Sequence, residues 1–64
     1  MNNYNEAEMS NALVTQKNEV FRLINNDEII KAGELLYLFL PVWKACGYEY
    51  KAIELQKIIA TRLD

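Results

Sequence analysis

The chain has 64 residues, 52% of them hydrophobic and 25% charged, which suffices for one small domain and excludes an intrinsically disordered protein. Its formal net charge is −2 and its seven Lys and Arg residues are scattered, which argues against a general nucleic-acid binder. A single cysteine and the absence of histidine exclude an internal disulfide and an ordinary zinc site.

The first segment predicts an amphipathic helix over residues 6–24, preceded by a frayed polar tail at residues 1–5. Asn5 followed three residues later by Glu8 resembles a capping box, in which two side chains satisfy backbone N–H groups at the start of a helix. Apolar residues at helical spacing mark its buried face, namely Leu13, Val20 and Ile24.

The middle segment, residues 27–46, carries most of the large apolar side chains and predicts a central helix. Its apolar arc covers more than half of the circumference, whereas a surface helix normally shows a narrower stripe. One strip interrupts the arc and holds Lys31, Glu34, Lys44 and Pro41. Because Pro41 lacks an amide hydrogen, we expect it to kink the helix or to split it at Leu40. A buried strand is the alternative for so short an apolar run, although the Leu, Ala, Lys and Glu content disfavours it.

Both ends of the central helix carry local signals. Asn26 or Asp27 can cap its first turn, and so short a link predicts that the neighbouring helices are antiparallel. Lys44 in the last turn and Gly47 just past it are typical of a helix end. A third helix is predicted over residues 48–63. The sequence shows no internal repeat.

Together these patterns predict one all-α domain over residues 1–64, built from three helices, that associates as a helical-bundle homodimer. The expected core residues are Leu13, Val20, Ile24, Leu35, Leu36, Phe39, Leu55 and Ile59. The central helix has more apolar surface than two neighbouring helices can cover, and Tyr and Trp are typical of interfaces because they join a large apolar area to a polar tip. The candidate interface residues are Ile30, Tyr37, Leu38, Leu40, Trp43, Tyr50 and Ile53.

No group of residues indicates catalysis. A hydrolase needs a nucleophile beside a base, and histidine, the usual base, is missing from the chain. The hydroxyl residues have no evident activating partner, and two isolated glycines form no phosphate-binding loop. We therefore expect no enzymatic activity, no cofactor and no metal. Cys46 is expected to be a small buried side chain.

The excess apolar surface predicts a small interaction or regulatory protein, of the inhibitor, adaptor or chaperone type, that binds an unidentified protein target. The alternative is a DNA-binding transcriptional regulator whose degenerate helix-turn-helix uses residues 48–63, with Gln56, Lys57 and Arg62 facing the DNA. The uncharged run from Leu35 to Trp43 is too short for a membrane span. The N-terminus lacks the features of a secretory signal, which together with the lone thiol predicts a cytoplasmic protein.

Overall fold

The computed structural model describes residues 11–63, and in this range the chain forms three α-helices and no strand. The helices are α1 (Asn11–Asn25), α2 (Ile29–Ala45) and α3 (Glu49–Leu63). The prediction of a small all-helical domain with three helices is therefore confirmed. The predicted helix start at residue 6 and the capping box of Asn5 and Glu8 lie outside the described residues.

The central helix α2 holds the other two in place. It packs against both α1 and α3, whereas α1 and α3 contact each other much less. Three-residue connections make each pair of neighbours antiparallel. The helix continues through Pro41 to Ala45, so the split at Leu40 that the sequence left open does not occur.

The first turn ends α1 in a Schellman motif, the common helix stop in which one residue takes the left-handed conformation. Asp27 is that residue, with φ 64°. Its N–H donates to the Ile24 carbonyl at 3.0 Å, and the N–H of Glu28 donates to the Leu23 carbonyl at 2.9 Å. The predicted N-cap at Asn26 or Asp27 is wrong: Asp27 is used to end α1, which leaves Glu28 as the N-cap of α2, without a side-chain capping bond.

The second turn repeats this construction. Gly47 has φ 76°, its N–H donates to the Lys44 carbonyl at 3.2 Å, and the N–H of Tyr48 donates to the Trp43 carbonyl at 2.7 Å. The predicted role of Gly47 just past the helix end is confirmed.

The two turns also lead into similar five-residue sequences. KAGEL at 31–35 and KAIEL at 51–55 each begin four residues after the left-handed position. Ala32 and Ala52 of these segments are fully buried. Each of these segments therefore begins a helix that follows the same kind of turn and buries an alanine.

The core lies along the faces that α2 presents to its two neighbours. Six predicted core residues are buried, namely Leu13, Val20, Ile24, Leu36, Leu55 and Ile59. Leu35 and Phe39 are partly buried and pack against them. Tyr48 was not among the predicted core residues, although it lies at the helical spacing of Leu55 and Ile59, and its side chain is fully buried just before α3.

Four aromatic rings form a continuous row between α2 and α3. The ring centroids of Phe39 and Trp43 are 6.0 Å apart, those of Trp43 and Tyr48 are 5.0 Å apart, and those of Tyr48 and Tyr50 are 5.3 Å apart. The indole Nε1 of Trp43 donates a hydrogen bond of 2.8 Å to Oε1 of Gln16 on α1. Trp43 is fully buried, so its proposed place on an exposed interface is corrected: the ring belongs to the core of the single chain.

Candidate interaction surface

An open groove of about 610 Å³ runs between α2 and α3. We call it the α2–α3 groove, and its lining is Ile29, Ile30, Gly33, Glu34, Tyr37 and Leu38 from α2, with Ile59 and Leu63 from α3. Gly33 lines the groove where α3 passes, and a Cβ at Gly33 would lie 3.9 Å from Cγ2 of Ile59. This is ordinary contact distance, so Gly33 leaves a shallow opening and is not required by a close approach of two backbones.

The rim of the groove is apolar and exposed. Tyr37 is 75% exposed, Leu38 69%, Ile30 63% and Leu63 56%. Single exposed apolar residues are ordinary on a protein surface, whereas several around one concave site are typical of a contact surface for another molecule. These four residues are therefore the best candidate for a binding surface in the described part of the chain.

A second set of exposed apolar residues lies outside the groove lining, namely Val42, Tyr50 and Ile53. The ring of Tyr50 meets that of buried Tyr48 edge to face. Tyr50 is therefore anchored on one side and presents its other side to solvent.

The structure places the predicted interface residues in three environments. Five are exposed, namely Ile30, Tyr37, Leu38, Tyr50 and Ile53, and the first three of these line the groove. Leu40 is partly buried against the core, and Trp43 is fully buried. Val42 and Leu63 are exposed as well, although neither was among the predicted interface residues. Leu63 falls at the spacing of the α3 core face, but it lies one turn beyond Ile59 at the end of the helix, and that turn is exposed.

Glu34 is the only residue of the groove lining that is charged at neutral pH. Neighbouring Lys31 forms an ion pair of 3.2 Å with Glu28. Within residues 11–63, Glu34 forms no ion pair, which leaves its carboxylate available to a partner. An apolar site with one unpaired carboxylate favours a ligand that combines apolar groups with a cation.

Among residues 11–63, one ion pair has shifted pKa values; it lies on α1 and does not line the groove. Arg22 donates hydrogen bonds to the carboxylate of Glu19, which lowers the pKa of Glu19 and raises the pKa of Arg22. Because the pKa of Glu19 is lowered, the contribution of this pair to stability is present at neutral pH and is lost as the pH falls through that lowered value. Both groups are exposed, so the contribution is small.

The basic residues of α3 are partly used inside the chain. Lys51 pairs with Glu54 at 2.8 Å, as their spacing predicts. Arg62 approaches the Ile24 carbonyl at 3.4 Å and the Asp27 carboxylate at 3.5 Å. A recognition helix needs such side chains free for phosphates and base edges, so these contacts count against the DNA-binding alternative.

Within the described range, no cluster of three or more His, Cys, Asp or Glu side chains could hold a metal ion. Cys46 is a free, partly buried thiol at the C-cap of α2. Among the three helices, none has the length and apolar character needed to cross a bilayer. No protein family, curated protein or solved structure matches the chain.

Proposed function

We propose that this chain is a non-enzymatic interaction protein that binds another polypeptide through the α2–α3 groove and its apolar rim. The single observation that supports this most is the exposure of Ile30, Tyr37, Leu38 and Leu63 around one groove. A regulatory, inhibitor, adaptor or chaperone role is compatible with such a surface. A cytoplasmic location stays a prediction from the sequence.

The first partner we propose is a second copy of the same chain. A 64-residue domain has a small core, and association is a common way for such domains to gain stability. Two-fold homodimers are the commonest soluble oligomers because one surface then serves both subunits. The apolar rim of the groove supplies that surface, and burial of its side chains is the driving force.

Tyr37→Glu tests this proposal because it places a charge at the most exposed residue of the groove rim. We expect the wild-type chain to sediment as a dimer and the variant as a monomer with unchanged helical circular dichroism. Gln56→Glu, which adds the same charge at an exposed position outside the groove, is the control and should remain dimeric. An unchanged mass for Tyr37→Glu would contradict the proposal.

A further inference from the structure

Five exposed residues of α2 lie on one line along its outer side. Ile30, Glu34, Tyr37, Pro41 and Lys44 follow each other at alternating steps of four and three residues, and all five are exposed. This is the seven-residue period with which two helices pack side by side in a coiled coil. We call the part from Glu34 to Lys44 the outer seam; it spans about 15 Å of helix.

The outer seam is complementary to itself in charge. Glu34 lies at one end and Lys44 at the other, with Tyr37 and Pro41 between them. In the described residues neither Glu34 nor Lys44 forms an ion pair, whereas Lys31 on the same helix pairs with Glu28. An antiparallel copy of the seam presents the opposite order of charges, so each charge can meet its counterpart.

We infer that the second copy lies on the outer seam, with the two α2 helices antiparallel about a two-fold axis at the level of Phe39. This inference rests on the proposed function and specifies the arrangement of the dimer: the contact uses Glu34, Tyr37 and Leu38 of the groove lining and continues along α2 beyond the groove. Glu34 of each subunit then faces Lys44 of the second copy, and Tyr37 faces Pro41 of the second copy. Because the axis is two-fold, each of these contacts occurs twice.

The charges select this arrangement over other alignments of the same seam. A parallel pair places Glu34 beside Glu34 and Lys44 beside Lys44 of the second copy, which is repulsive. An antiparallel pair centred on Tyr37 places Ile30 level with Lys44 and Glu34 level with Leu40, which desolvates charges without pairing them. Centring the pair on Glu34 brings two carboxylates together.

Leu38 adds an apolar contact at the centre of the dimer. It follows Tyr37 in the sequence, lies on one flank of the outer seam and is 69% exposed. In an antiparallel pair, the residues on one flank meet the same flank of the second copy. Leu38 of both subunits therefore meet close to the two-fold axis, beside the two Tyr37 and Pro41 contacts.

Charge exchange tests the alignment. We expect Glu34→Lys and Lys44→Glu each to raise the dissociation constant of the dimer about tenfold, because each substitution turns two attractive contacts into repulsive ones. The double variant with both changes should return to within about threefold of the wild-type dissociation constant, because opposite charges face each other again. A mixture of the two single variants should form a mixed dimer that is tighter than either variant alone.

Sedimentation over a range of concentrations measures these dissociation constants, with circular dichroism as the check that each variant is folded. Lys57→Glu, a charge reversal at an exposed site on α3, is the control and should leave the constant unchanged. If Tyr37→Glu separates the dimer but the double variant is no tighter than the single variants, the alignment is wrong and the proposed function stands. If the wild-type chain is monomeric throughout, the two-fold arrangement is wrong.

Discussion

The indole of Trp43 joins α2 to α1 through its hydrogen bond with Gln16. The two residues are 27 positions apart in the chain, and Trp43 is fully buried. A buried N–H that loses its acceptor costs more than the hydrogen bond itself contributes, because the group has already been removed from water. Gln16 therefore makes the burial of the tryptophan possible.

We expect Gln16→Leu to lower the free energy of unfolding by about 1–3 kcal/mol, since the Trp43 N–H would be left without an acceptor. Thermal and urea unfolding followed by circular dichroism measures the change. Gln56→Leu, the same substitution at an exposed position of α3, should stay within about 0.5 kcal/mol of wild type. Equal effects of the two variants would show that the Gln16 contact contributes nothing to stability.

At the level of elements, the two glycines have opposite roles. Gly33 lies inside α2 with space for a methyl group, whereas Gly47 holds the left-handed position that ends the same helix. In the first turn Asp27 takes the left-handed position, which Asp tolerates better than most residues with a Cβ. The same turn is thus built once with glycine and once without it.

Gly33→Ala should raise the free energy of unfolding by up to about 1 kcal/mol, because alanine restricts the unfolded chain and favours a helix interior. Gly47→Ala should lower it by roughly 1–2 kcal/mol, because its φ of 76° is strained for a residue with a Cβ. Melting temperatures of the two variants, measured side by side, check the signs. A loss of stability in Gly33→Ala would mean that the groove floor cannot hold a methyl group.

Local patterns were sufficient to predict the three helices, the second turn and most of the core. The helix period places Leu36 and Leu55 inside, and Gly47 marks a stop that few other residues could form as easily. The first turn was harder, because Asn25, Asn26 and Asp27 all tolerate the left-handed conformation. Which of them adopts it is decided by the bonds from the turn back to α1.

The candidate surface was predicted only in part, because it depends on contacts between distant residues. Trp43 has the spacing of a core residue and the chemistry of an interface residue. The contacts that bury it come from Gln16 on α1 and from Tyr48 in the second turn. The groove likewise requires Ile59 of α3 to lie beside Gly33 of α2. The spacing of residues along one helix does not specify which helix will lie beside it.

On the scale of the whole molecule, α1 and α3 both pack against α2. Since α1 and α3 contact each other little, each is stabilised chiefly by the face of α2 that it covers. A destabilising substitution on the buried side of α2 should therefore lower the stability of all three helices. A substitution on its exposed outer side should leave the stability of the single chain nearly unchanged.

Leu36→Ala and Leu38→Ala test this division with the same change two residues apart. Leu36 is 1% exposed, so Leu36→Ala should lower the free energy of unfolding by about 2–5 kcal/mol. The whole chain should still unfold in one cooperative transition. In solutions dilute enough to keep the chain monomeric, Leu38→Ala should have a free energy of unfolding within about 0.5 kcal/mol of wild type. Separate melting of one helix in Leu36→Ala would contradict the conclusion that α1 and α3 both depend on the buried side of α2.

The burial of Trp43 gives the molecule an intrinsic optical reporter. The chain has a single tryptophan, and it is fully enclosed in the folded state. Indole fluorescence shifts to longer wavelength when the ring enters water, so an unlabelled sample signals its own unfolding without interference from a second indole. Stopped-flow refolding can follow this emission directly, and it reports when the indole becomes buried against Gln16 of α1 and Tyr48 of the second turn.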